Sequence, residues 1–302
     1  MVSLSTFSIV AVDLTTGELG IAVASKFLAV GAVVPWARAG AGAVATQSYA
    51  NVSYGPRGLE LLAAGYSAQE VLAQLLADDP DRELRQVGIV DARGGAATFT
   101  GSGCHAWAGG QTGSGYAVQG NILIGPEVVN AMADTFESTR GPLAARLLAA
   151  LAAGDRVGGD RRGRQSAALL VVKERGGYGG YTDRMIDLRV DDHVNPVGEL
   201  QRLYDIWRLY FEKPNPDDRL PLEGALLQEL QELMRTLGYY QGPAHGVWDE
   251  ATRQAYATLI GNENFEERIP PGANWIDRSV LEYLRDLAMR RLAPRDGTRC
   301  GE

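Results

Sequence analysis

The sequence predicts an α+β chain with layered sheets, followed by a small all-helical module. Strand signals fill the first fifty residues and return after a pair of helices. A Pro- and Asp-rich stretch, KPNPDDRLP, interrupts the chain at 213–221, and beyond it the pattern is helical.

The first strand, Thr6 to Val12, is dense in β-branched and aromatic residues and stops at the turn-like DLTTGE. Leu19 to Phe27, Val30 to Ala37 and Gly42 to Ser48 read as three more strands. In LGIAVASKF, alternation puts Leu19, Ile21, Val23 and Phe27 on one face and Gly20, Ala22, Ala24 and Lys26 on the other. The second face is bare apart from the lysine, so a ligand or another sheet can approach its backbone. YGPRGLELLAAG is bracketed by Pro56 and Gly65 as a helix, and SAQE at 67–70 is a capping box for a second helix that ends by Pro80. RQVGIVDARGGAATFTG reads as a hairpin. A Gly-rich loop, a strand at Tyr116 to Gln119, helices near Pro126 to Ser138 and Pro142 to Ala153, the strand SAALLVVKE, a strand at Met185 to Val190 and a long helix from Pro196 to Glu212 follow. The expected domains are therefore 1–212, a linker at 213–221, helices over 222–292 and a polar tail at 293–302.

With 45% hydrophobic and 22% charged residues the chain has globular composition, and no apolar run approaches the roughly 20 residues of a membrane span. A formal charge of -8 argues against nucleic acid or an anionic membrane as partner. Two cysteines, Cys104 and Cys300, make neither a disulfide framework nor a metal cage, which fits a reducing, cytoplasmic setting. His105, His193 and His245 never fall at metal-ligand spacing, so neither a metal nor a cofactor is expected. The five residues before Thr6 carry no basic cluster and no signal-like apolar stretch. Arg greatly outnumbers Lys, and Lys26 is the only lysine before Lys173. Codon bias accounts for most of this, yet a lysine that survives it raises the question of a chemical need for an ammonium.

TFSIVAVD, GELGIAVASKFLAVGAVVPWARAG, ATQSYAN, YGPRGLELLAAG, FTGSGCHAWAGG, YAVQGNIL and GGDRRGRQSAALLVV, in this order, closely resemble the bacterial domain-of-unknown-function family 1028. The resemblance covers nearly all of 6–212. It implies a fold of the N-terminal-nucleophile hydrolase class, a layered αββα sandwich. It also implies that Thr6 matches a Thr often preceded directly by the initiator Met, whose removal frees the amine. Here Val2 to Ser5 intervene. Either translation starts later, or the Ser5–Thr6 bond is cleaved, or Thr6 is not a nucleophile. LQELMRTLGYYQGPAHGVWDEATRQAY is similar to peptidoglycan-binding domains as far as Tyr256, after which their usual aromatic-glutamine ending is replaced by ATLIGNENFEER. Without an export signal, contact with peptidoglycan is not expected.

A Thr with a free α-amine acts as nucleophile and base together, because such an amine titrates near ~8. Lys26 is the candidate electrostatic partner, and the alternative is a lysine reaching solvent at a strand end. Asn121, directly after a strand, is the favoured oxyanion donor. Gln47, Ser48 and Asn51 offer further polar groups at another strand end, although each could equally cap a turn. In GGDRRGRQS, the residues Asp160, Arg164 and Ser166 are candidates for holding an anionic substrate, against a solvated loop that balances an acidic protein. Cys104 reads as a structural thiol, since sequence neighbours such as His105 point apart on a strand. The expected activity is hydrolysis of a small amide. The alternative is a non-catalytic binding or assembly protein of the same fold, whose helical module mediates partner or peptidoglycan-fragment contacts; a homo-oligomer is expected in either case.

Overall fold

A computed structural model describes residues 6–292, and the chain divides between Leu203 and Tyr204 into two compact units. Val2 to Ser5, Cys300 and the rest of the polar tail lie outside the described residues.

The first unit is built on two antiparallel sheets. Strands β1 (Thr6–Asp13), β2 (Glu18–Ser25), β3 (Pro35–Arg38) and β4 (Gly42–Ser48) come first. Helices α1 (Tyr54–Ala63) and α2 (Ala68–Ala77) follow, then β5 (Arg85–Asp91), β6 (Ala96–Thr100), β7 (Gly109–Gly113) and β8 (Tyr116–Asn121). Helices α3 (Glu127–Ser138) and α4 (Leu143–Arg156) precede β9 (Ser166–Val172) and β10 (Arg184–Val190). One sheet runs β10-β9-β2-β1-β8-β7 and the other β3-β4-β5-β6.

Period-two alternation gives each strand two jobs. Val10, Val12, Ile21 and Val23 of the first sheet meet Ala43, Ala45 and Val90 of the second. On the outer face of the second sheet, Val44, Val87 and Ile89 pack with Tyr54, Val71 and Leu75 of α1 and α2. The small-residue face of β2 receives α4: a Cβ on Gly20 would stand 2.6 Å from the Leu147 side chain. The bare face therefore admits a helix rather than a ligand. The resulting order is helix pair, sheet, sheet, helix pair. The capping box is formed, with the Glu70 N–H donating to Ser67 Oγ and the Ser67 N–H to Glu70 Oε2.

Two expectations fail locally. Val30 to Ala37 is not one strand: Ala29 takes a left-handed φ of 53°, Val30–Ala32 forms a single 3-10 turn, and β3 starts at Pro35. That turn is fixed from a distance, because the Val30 N–H donates to Ser166 Oγ. The Gly-rich stretch after β6 contains β7, whose partner β8 supplies the register that glycines lack.

In the second unit, helices α6 (Gly224–Leu237), α7 (Glu250–Asn262) and α8 (Arg278–Leu292) pack Leu230, Met234, Leu259, Ile260, Val280 and Leu284 into one core. Helix α5 (Pro196–Phe211) crosses the division of the chain. Its last carbonyls, on Arg208 and Leu209, and that of Glu212 accept from Arg268, which also pairs with the fully buried Asp277 at 3.1 Å. The linker expected at 213–221 is not free: β11 (Arg219–Pro221) pairs antiparallel with β12 (Trp275–Asp277). Proline and aspartate discourage helix here, and a short edge strand tolerates them. No described helix is long and apolar enough to cross a membrane.

Candidate functional site

The layer between the sheets changes chemistry along its length. Toward the middle of β1 it is aliphatic. At the amino end of β1 the same alternation brings Thr6 and Ser8 into the layer, joined by Gln119 and Asn121 from β8, Gln47 from β4 and Gln86 from β5, all fully buried. Thr6 lies between Ser25 of β2 and Asn121 of β8, its register partners on either side.

These groups form one hydrogen-bonded network. Gln119 Nε2 donates to Ser8 Oγ (2.6 Å), and Ser8 Oγ donates to Gln47 Oε1 (2.6 Å). Gln47 Nε2 donates to the Thr6 carbonyl (3.2 Å) and to Gln86 Oε1 (2.8 Å). Asn121 Nδ2 donates to the same Gln86 oxygen at 2.9 Å, and Gln86 Nε2 donates to Thr100 Oγ1 and the Gly120 carbonyl. Thr6 Oγ1 donates to Ser25 Oγ at 3.3 Å. Burying so many amides is costly unless they satisfy each other, and here most of them do, although among the described residues Gln119 Oε1 has no hydrogen-bond partner. The neutral network thus reaches Thr6 through its carbonyl, while the Thr6 hydroxyl is held by Ser25 beside it.

Of the candidates drawn from the sequence, the structure gathers Thr6, Gln47 and Asn121. Gln47 touches the Thr6 carbonyl from within the network, with its amide bonded to Thr6, Ser8 and Gln86. Ser48 is buried at the end of β4 with a left-handed φ of 69°. Asn51 lies elsewhere: its Nδ2 donates to Asp79, which also accepts from Tyr54 and forms a buried pair with Arg85 at 2.9 Å. The Arg85 hydrogen bonds hold the Asp79 carboxyl far below the ordinary range. Lys26 is exposed, with its ammonium on the Arg164 carbonyl (3.3 Å), whereas the Thr6 hydroxyl pairs with Ser25. Asp160 and Ser166 serve the backbone. Asp160 accepts from the Lys26 and Arg162 N–H groups, and Ser166 Oγ donates to the Phe27 carbonyl. Arg164 is paired with Asp155 at 2.7 Å.

Cys104 is half-buried; its thiol donates to the Arg85 carbonyl, and burial pushes its pKa up, away from a reactive thiolate. The neighbouring His105 ring instead meets the Tyr49 hydroxyl at 3.0 Å. Ser8, Ser25, Gln86 and Gln119 join the site without having stood out in the sequence. Their signal was available strand by strand: in RQVGIVD and YAVQGN the polar residue shares a face with the small residues of the layer.

A second feature lies in the helical unit. A largely apolar cavity of about 450 Å³, lined by Trp248, Tyr256, Ile260 and Pro270 together with polar residues that include Arg253 and Glu266, is within the size range of small-ligand sites.

Comparison with known proteins locates both units. No curated protein matches the chain. Residues 210–284 match the family described as "Putative peptidoglycan binding domain". A crystal structure of a Silicibacter pomeroyi protein assigned to family DUF1028 is similar at 33% identity and a TM-score of 0.62, over 68% of this chain and 90% of that one. The model of the same family of unknown function spans residues 6–200, and the chain belongs to that family.

Proposed function

We propose that the first unit is an amidohydrolase of the N-terminal-nucleophile type, with Thr6 as nucleophile, acting on a small amide. The observation that carries this is the position of Thr6, a strand-end hydroxyl held between Ser25 and Asn121 against a buried amide network. Elsewhere in the layer the sheets meet through aliphatic side chains, and a core needs no such array.

In the full sequence the Thr6 nitrogen is an amide and has no basic lone pair, and the residue is fully buried. The site is therefore latent until the Ser5–Thr6 bond is opened. The freed α-amine then takes the Oγ1 proton as Oγ1 attacks the substrate carbonyl. Collapse of the tetrahedral intermediate breaks the C–N bond and passes that proton to the leaving amine. Water, deprotonated by the same amine, cleaves the resulting ester and restores the Thr6 hydroxyl. Asn121 Nδ2 is the proposed oxyanion donor, exchanging its bond to Gln86 for one to the developing charge.

The test compares a chain beginning at Thr6 with one that retains residues 1–5, on a panel of small amides. The first should turn over at least one member. The second, and Thr6→Ala in the first, should lower the rate by about a thousandfold or more, as expected when a nucleophile is removed. Equal rates in all three would refute the assignment.

The cavity in the second unit supports another reading, a non-catalytic protein that binds through its helical module. Under that reading the full chain co-sediments with purified peptidoglycan sacculi and Trp248→Ala weakens this. Absence of co-sedimentation counts against it.

A further inference from the structure

The amino end of β1 is bordered by a particular loop. The register pairs Thr6 with Ser25 and Asn121, so Lys26 and Ile122 stand one step beyond it on the two flanking strands. The 160–164 loop spans these two positions. Asp160 Oδ2 accepts from the Lys26 N–H at 2.8 Å, the Arg161 N–H donates to the Ile122 carbonyl at 3.0 Å, and Asp160 bridges to Leu123. The loop is thus the rim of the site, tied by backbone to both neighbours of Thr6.

The charges on this rim do not cancel. Arg162 is paired with Asp160 and Arg164 with Asp155. Lys26 and Arg161 are both exposed, and among the described residues neither has a carboxylate within ion-pair distance. Lys26 uses one of its three N–H donors on the Arg164 carbonyl and keeps two. Two cations with no counter-charge, on a chain of formal charge -8, border a site whose interior is neutral.

We propose that the substrate of the Thr6 site carries a carboxylate on its acyl part, received at the rim by Lys26 and Arg161. The inference rests on the amidohydrolase reading. An acyl group on Thr6 Oγ1 sits at the amino end of β1, between the two strands that this loop ties together, so its far end is within reach of the same rim. This moves the anion site from Asp160, Arg164 and Ser166, whose side chains are engaged internally, to Arg161, and Lys26 from electrostatic partner of the Thr6 amine to ligand of the substrate's far end.

The probes are glutaryl-4-nitroanilide and its methyl ester, tested on the chain beginning at Thr6. The acid should be hydrolysed at least tenfold faster in kcat/KM. Lys26→Gln and Arg161→Gln should each narrow this preference about fivefold, mainly through KM, and so should raised salt, because both cations are exposed. Equal hydrolysis of the two probes, or a preference that survives the double variant, overturns the carboxylate site and leaves the amidohydrolase standing. Hydrolysis of neither probe defeats the amidohydrolase on these substrates, and calorimetric titration with glutarate then decides. Binding that weakens tenfold or more in the double variant keeps the anion site, while no binding, or binding unchanged in the variant, overturns it.

Discussion

The two ends of the layer between the sheets are built from the same strands, yet one is sealed by aliphatic packing and the other by hydrogen bonds. Around Ile21, Val23 and Val90 the sheets meet as any sandwich core does. Around Thr6 and Ser8 three glutamines and an asparagine fill the same layer. An aliphatic contact is non-directional and tolerates sliding, whereas an amide network has one low-energy arrangement. The apolar end therefore supplies stability, and the polar end supplies directional geometry.

Breaking the apolar end should have the largest effect on stability. Ile21→Ala removes a fully buried side chain and should cost about 2–4 kcal/mol, read from the urea midpoint. Backbone amides on both sheets should lose hydrogen-exchange protection together. A loss below about 1 kcal/mol would mean that the layer collapses around the void, and the contrast would weaken.

At the polar end, Gln47→Leu keeps the volume and deletes the bonds to Ser8, Gln86 and the Thr6 carbonyl. It should cost about 1–3 kcal/mol, since it strands buried partners, and it should lower turnover by more than the stability loss explains. Gln47→Glu, which retains one acceptor oxygen, should recover the Ser8 bond but not the bond to the Thr6 carbonyl. If Gln47→Leu is as active as the parent, the network is a core ornament and not a positioning device.

The smallest effect is a difference in acid response. Asp79 and Arg85 prop the polar end from outside, because Arg85 precedes Gln86 on β5 and also donates to the Tyr49 carbonyl. Asp79 is held below its unfolded value of about 3.9, so its contribution is complete above that pH and declines as pH falls through the native value. The Gln86 amide should accordingly lose protection on acidification before Val90 does, and Asp79→Asn should flatten the difference. Parallel loss at both residues would show that the two ends open as one.

Much of the fold was legible because it is local. The TTGE turn, the Ser67 capping box and the alternation of β1 and β2 each reside in fewer than ten residues and fold as written. β7 and the turn at Val30 were not, since one takes its register from β8 and the other its shape from Ser166, more than a hundred residues away. The site divides in the same way. Thr6 and Asn121 stand out at strand ends, whereas Gln86 and Gln119 each share a face with small residues within their own strands and join the site once the two sheets face each other. Lys26 and Arg164 carry the charge that an anionic ligand would call for, and the pairing of the Arg164 guanidinium with Asp155 cannot be read from spacing.

The central claim is that Thr6 becomes the first residue of the working protein, and the intact mass of the purified native protein tests it most directly. A mass corresponding to a chain that begins at Thr6 is the expected result, since it places a free amine beside the buried network. A mass that includes Val2 to Ser5 in fully native material would remove the general base and contradict the account.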